Sequence, residues 1–439
     1  MQEKRIVSNL QTNAQQLDYE KILESIGDSR FVLIGEASHG THEFYKTRAD
    51  LTKLLIEKKG FNAVAIEADW PDTHRVHRYL TGDVSTDGSA EDALGNFKRF
   101  PTWMWRNTDV VAFLQWLKSW NDKQRPGPSR VGFYGLDLYS LYGSISAVID
   151  YLHEVDPVAE KKARQAYSCF DHFAEDSQQY GFAAASGIME SCQKVVVRQL
   201  RDLQQREGQY SLRDGEQEGF FFAEQNAHLI KNAEEYYRSM FNGRTSSWNL
   251  RDTHMSETLE ALLKYLSRFR SEPKVAIWAH NSHLGDARAT QMGERGELNL
   301  GQLVRQQHPD ESFLLGFTTY TGTVTAASEW GLPAQQKRVR TGMKGSFEHL
   351  FHEVGKESFF LDFHRDDNVA SALRDARLER AIGVIYLPET EFYSHYFNAR
   401  LAKQFDAVIH IDRTTALTPL DKTLEWDSIE PPESFPSGL

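Results

Sequence analysis

Cysteine is nearly missing from this chain of 439 residues: there are two, Cys169 and Cys192. Their spacing fits neither C-x-x-C nor a disulfide framework, so they read as buried, idle thiols. Long apolar runs are missing too. None approaches the roughly 20 residues that a membrane helix needs. The opening stretch, "MQEKRIVSNLQTNAQQ", lacks the apolar centre of a secretory signal. There is no block of Lys and Arg, and the net charge is -12. That balance argues against nucleic acid or an anionic membrane as partner. These absences leave a cytoplasmic protein acting on a small molecule as the expectation.

Several catalytic signatures are also lacking. No G-x-S-x-G elbow is present, which argues against an α/β-hydrolase serine. Neither G-x-x-x-x-G-K-[ST] nor G-x-G-x-x-G occurs, so nucleotide cofactors have no support, and H-E-x-x-H is missing.

What is there is ample material for a core: 40% apolar and 12% aromatic residues. The length suits one large domain with an insertion, or two domains. "RFVLIGE" from Arg30 is too continuous for a half-exposed strand and reads as a buried one. "HEFYKTRADLTKLLIEKKG" follows at helical spacing, with Gly60 as its stop. "NAVAIEAD" (62–69), "RVGFYGLDL" (130–138) and "PKVAIWAHNSH" (273–283) read as further strands ending in polar groups. Others begin at Ser312, Ser358, Ala381 and Phe405. Strands separated by helical patterns predict an α/β fold: a mainly parallel sheet flanked by helices. The stretch 156–269 is helical throughout in pattern. It is expected to be an insertion forming a cleft wall, with 1–155 and 270–439 making the α/β core.

In such sheets ligands sit at the carboxyl ends of the strands. Four predicted strand ends carry ionisable groups: Glu36 with His39, Glu67 with Asp69, Asp137, and His280 with His283. Buried charge must be paired or hydrogen-bonded, so this convergence points to a polar site. A neutral His beside a carboxylate can activate water, and Arg48 can hold the acids or steady an oxyanion. His280-x-x-His283 with His39 and a Glu is also suitable chemistry for zinc or iron, so metal dependence stays open as the second reading. A binding protein that uses the cleft without turnover is the third. Asp69 is expected to cap the helix opened by Pro71, and Asp137 either faces the cleft or caps the next helix. His42 and His74 are expected to face solvent or cap helices. Phe220 to Phe222, Tyr236, Tyr237 and Phe241 read as helix core rather than cleft lining.

"IGEASHGTHEF…R", "IEADWP" and "WAHNSH", in this order, resemble the erythromycin esterase family, which also contains succinoglycan-biosynthesis-like proteins. The likeness runs from about Arg30 to His410. It implies hydrolysis of an ester or macrocyclic lactone by water, with no covalent intermediate; no cofactor is expected, with a metal as the alternative. His39 falls on the family's general base, and Glu36, Arg48, Glu67, His280 and His283 on supporting positions. "PTWMWRN", with Trp105 and Arg106, and "NLRDTHM", with Arg251 and Asp252, also look familial. Trp105, Arg106, Asp137 and Arg251 are therefore the expected substrate-binding residues. The family's fold resembles that of haem- and iron-handling ChaN-like proteins, which keeps a metal or haem in view.

Overall fold

The computed structural model describes residues 2–82, 87–127, 129–173, 176–213 and 217–421. Eleven strands are present among them: β1 (Gln15–Gln16), β2 (Phe31–Ile34), β3 (Ala63–Asp69), β4 (Gly132–Asp137), β5 (Val275–Trp278), β6 (Ser312–Ala326), β7 (Gln335–Val339), β8 (Ser358–Asp362), β9 (Arg377–Arg380), β10 (Tyr396–Ala399) and β11 (Ala407–Thr414). The main sheet runs β1-β8-β11-β6-β2-β5-β3-β4, with β7 paired to β6. From β11 to β4 every neighbour is parallel; β8, β1 and β7 add antiparallel edges. β9 and β10 form a separate hairpin.

Side chains alternate across the sheet, so each strand feeds two cores. Phe31, Leu33, Ala65, Leu136, Ile277 and Val408 join one cluster with the helices Leu141–Val155, Gln217–Ser239 and Arg244–Leu266. Val32, Ile34, Val64, Ile66, Trp278 and Ile409 join the other, against His42–Lys59, Trp70–Thr81 and Thr108–Asn121. With both faces covered, β2 and β5 are buried at every position, which is why they read as unbroken apolar runs.

The described residues of 156–269 are helical apart from short turns. Their apolar residues, including Phe220, Phe221, Tyr236 and Tyr237, pack in the same cluster as the sheet. Phe241 departs from this and is 47% exposed.

Two expectations are corrected. "AIGVIYL" from Ala381 is not a strand of the sheet. It makes isolated bridges, Ser38 to Ile382 and Ala327 to Ile385. Its backbone is committed to two loops instead: Ile382 N–H donates to the Ala37 carbonyl (2.9 Å) and Tyr386 N–H to that of Ala327 (3.1 Å). Cys169 and Cys192 are joined as a disulfide, with Cα atoms 6.2 Å apart. Packing of Phe170 on Tyr180 (4.8 Å), whose hydroxyl accepts from Cys192 N–H (2.8 Å), brings the two together. Among the described residues no helix is long and apolar enough to cross a membrane.

Candidate active site

β2 ends at Ile34, and the chain turns through Gly35–Thr41 into the helix His42–Lys59. Two glycines make that turn fit. A Cβ on Gly35 would run into the Asn281 side chain, and one on Gly40 into the Thr325 carbonyl of β6. The loop is pinned from the far side, where His39 N–H donates to the Ile382 carbonyl (3.3 Å).

Within this loop His39 Nδ1 lies 3.0 Å from Glu36 Oε1, both side chains being almost fully buried. Arg48, two turns into the helix, reaches back to Glu36 Oε2 (3.3 Å). Its guanidinium lies over the rings of Tyr45 (4.4 Å) and Trp278 (5.0 Å), a cation–π setting suited to a buried charge. Tyr45 donates its hydroxyl proton to the His39 carbonyl (3.1 Å).

A second network stands beside it. Arg251, on the helix Arg244–Leu266, donates to Asp137 through Nε (3.0 Å) and Nη2 (2.6 Å), and through Nη2 to Glu67 Oε1 (2.8 Å). His283 places Nδ1 3.0 Å from both oxygens of Asp252, and Nε2 lies 3.3 Å from Glu67 Oε1 and 3.1 Å from Arg251 Nη1. Trp248 stacks on the His283 ring (4.5 Å). His280 joins the two networks: its N–H donates to Glu67 Oε2 (2.9 Å), and its ring lies 4.8 Å from that of His39.

Protonation follows from these contacts. Burial lowers the His283 pKa, but Asp252 and Glu67 outweigh it and hold the imidazolium up to about 9. Burial alone would raise Glu67; His283, His39 and Arg251 hold it well below the usual carboxylate range. Asp137 is likewise held down, chiefly by Arg251 against the cost of burial. Burial, with His39 adding to it, keeps His280 well below the ordinary histidine value, so it is neutral. Its Nδ1 accepts from Ser282 N–H (3.2 Å), which puts the proton on Nε2.

His39, Glu67, Trp105, Asp137 and Arg251 line a small open cleft of about 70 Å³, and Arg99 and Tyr139 join them there. Five of the expected residues therefore share one hollow. Glu36 and Arg48 sit behind His39, while His280 and His283 are fully buried behind the wall. Arg106 is not brought to the cleft. It turns away to Asp421 (2.7 and 3.0 Å) and the Leu94 carbonyl (3.1 Å), which together hold its guanidinium. Asp69 stands at the N-cap position of its helix as expected, but its side chain does not bond the first turn: it accepts from Ser140 N–H and Arg99 Nε (both 3.1 Å). Asp137 faces the cleft. His74 is not solvent-facing; it stacks on Phe222 (3.5 Å). His42 pairs with Asp109 (2.8 Å).

Sequence reasoning missed Arg99 and Tyr139. The Tyr139 ring carries the guanidinium of Arg99 at 4.6 Å and that of Arg251 at 4.8 Å. Its hydroxyl is buried without a hydrogen-bond partner. Only the position of Tyr139, two residues past Asp137 at the end of β4, was there to find.

A metal at this site would draw on His39, His280, His283 and a Glu: His39 Nδ1 faces Glu36 and His280 Nδ1 accepts within its own turn, which leaves Nε2 of each ring, while both His283 nitrogens face charged partners. Among the described residues, the group of side chains placed to share an ion lies elsewhere: His228, His254 and Glu257.

A buried acid–imidazole pair thus stands beside a cleft at the carboxyl edge of a parallel α/β sheet, the place where such folds hold ligands. The chain belongs to the erythromycin esterase family, whose profile matches residues 56–414, and so to a family of hydrolases. It is 22% identical to erythromycin esterase type II of Escherichia coli over 416 residues, 91% of this chain and 93% of that protein. YbfO of Bacillus subtilis (strain 168), itself assigned as a hydrolase only by inference, is 23% identical over 430 residues, 92% and 88% of the two chains. The solved structure of a succinoglycan biosynthesis protein shares the fold with a TM-score of 0.77 at 22% identity, over 95% of this chain and 98% of that one.

Proposed function

We propose that this protein hydrolyses an ester bond of a small molecule, a macrocyclic lactone being the substrate class its family relationship favours, by direct attack of water activated by His39. The observation that carries this reading is the His39–Glu36 pair. Glu36 holds the Nδ1 proton, so Nε2 is the nitrogen left to take a proton from water. Four acids, Glu36, Glu67, Asp137 and Asp252, surround three cations, Arg48, Arg251 and the His283 imidazolium. The Glu36 carboxylate, 3.0 Å from Nδ1, faces the imidazolium that His39 becomes.

The tetrahedral oxyanion then meets the guanidinium of Arg251 on the cleft wall and, just beneath that wall, the buried and unpartnered Tyr139 hydroxyl. Collapse breaks the acyl C–O bond. The His39 proton passes to the leaving alkoxide, giving a carboxylic acid and an alcohol. His280 and His283 work from behind as positioning groups rather than by touching the carbonyl.

The test is mass spectrometry of a panel of macrolides and simple esters incubated with the protein. A lactone gains one water. His39→Asn should lower turnover about 10²–10⁴-fold, the range of general base catalysis, with its melting transition retained. Near-normal turnover by that variant overturns the reading. The same panel after chelation separates this mechanism from a metal-dependent one, which predicts loss of product.

A further inference from the structure

Away from the cleft, two helices of the 156–269 stretch place unlike ligand groups around one point. His228 and Asn232 lie four apart on the helix Gln217–Ser239, and His254, Glu257 and Thr258 share a face of Arg244–Leu266. The ligand atoms of His228, His254 and Glu257 all lie within 4.8 Å of one another.

What fills the centre is the amide nitrogen of Asn232. It lies 2.9 Å from His254 Nδ1, 2.9 Å from Glu257 Oε2 and 3.4 Å from His228 Nε2. Lys231 Nζ donates to the Asn232 oxygen (2.9 Å), which agrees with the amide nitrogen lying inward. A donor nitrogen at the centre means that His254 Nδ1 and the Glu257 carboxylate aim lone pairs inward. An NH₂ group carries two hydrogens, and three potential acceptors surround it.

We propose that His228, His254 and Glu257 form a binding site for a divalent transition-metal ion of the zinc class, with the Asn232 amide rotating aside to make room. Two imidazole nitrogens and a carboxylate oxygen are a common donor set for zinc, which is held at about 2.0–2.2 Å by each. The wider spacing needs only a modest inward movement of three side chains. The outer contact is in place: His254 Nε2 lies 3.4 Å from Thr258 Oγ1, a partner that fixes the ring with Nδ1 inward. An ion can reach the site, because Glu257 is 46% exposed and His228 21%, while His254 anchors the buried end. The fourth position stays open to water or the Asn232 oxygen. His254 is one turn beyond Arg251 on the same helix, so the ion would brace the helix that carries the cleft's guanidinium.

The experiment uses full-length protein stripped with chelator and titrated with ZnCl₂, read by calorimetry and by melting temperature. Cobalt(II) serves as a visible-absorption reporter. Wild type should bind one equivalent, melt at a higher temperature, and give the ligand-field bands of four-coordinate cobalt. His228→Gln and Glu257→Gln, both on the accessible side and expected to fold, should each weaken zinc binding about 10–100-fold and lose the melting shift. His254→Gln should remove the cobalt bands. Undiminished binding in both accessible-side variants, or no zinc-dependent melting shift in wild type, overturns the proposal. Neither result bears on the His39 mechanism, which is read separately by turnover.

Discussion

His283 ties the buried charges together, and its proton has a measurable consequence. The folded state holds it up to about 9 against an ordinary 6.5. The stabilisation is therefore complete below about 6.5 and disappears as pH rises through about 9. The melting temperature of wild type should fall across that window, and its advantage over His283→Gln should shrink with it. A constant difference between pH 6 and pH 10 would refute the assignment. Glu67 acts in the opposite sense, its contribution being lost on acidification below the usual carboxylate range. Arg251→Met leaves Glu67 and Asp137 buried without their shared cation. It should cost about 3–5 kcal/mol, measured by urea unfolding. Tyr139→Phe removes a hydroxyl with no partner in the fold, so stability should be kept while turnover falls about 10²–10³-fold. His39, Glu36, Glu67 and Asp137 were legible because a polar group where a buried strand stops needs a reason. Arg99 was not, since a loop arginine carries no periodic signal. Arg106 was misread because adjacency to Trp105 says nothing of direction.

At the scale of elements, the His39 loop is held by what surrounds it. Gly40 has no room for a methyl group against the β6 backbone. Gly40→Ala should cost about 1–3 kcal/mol and displace His39, lowering turnover more than a comparable loss of stability at a remote surface would. Thermal melting and kinetics measured together on this variant decide it; unchanged values in both would refute the steric account. The parallel strands were readable because burial on both faces leaves an unbroken apolar run. The segment from Ala381 has the same composition, yet it fastens the His39 loop instead of joining the sheet. Hydrogen bonding to loops distant in sequence decides such cases, and no local pattern records it. The short strands β1, β7, β9 and β10 were missed for the related reason that their pairing, not their composition, makes them strands.

For the whole molecule, one apolar cluster runs from the sheet into the helices of 156–269. The helical stretch should therefore not melt alone. Calorimetry should show a single transition, and limited proteolysis within 156–269 should not release a folded remainder; two resolved transitions would mean separate domains. The helical character of this stretch was readable from its composition, but the Cys169–Cys192 contact was not, because it depends on how Phe170 and Tyr180 pack. The helix Arg244–Leu266 delivers Arg251 to the hollow and Asp252 to His283. A single-residue deletion between Gly243 and Arg251 would swing each later side chain by about 100° around the axis. Related sequences should hence tolerate length changes in the earlier turns of 156–213 and reject them in those seven positions, a pattern of gaps that genome comparison can read without purified protein.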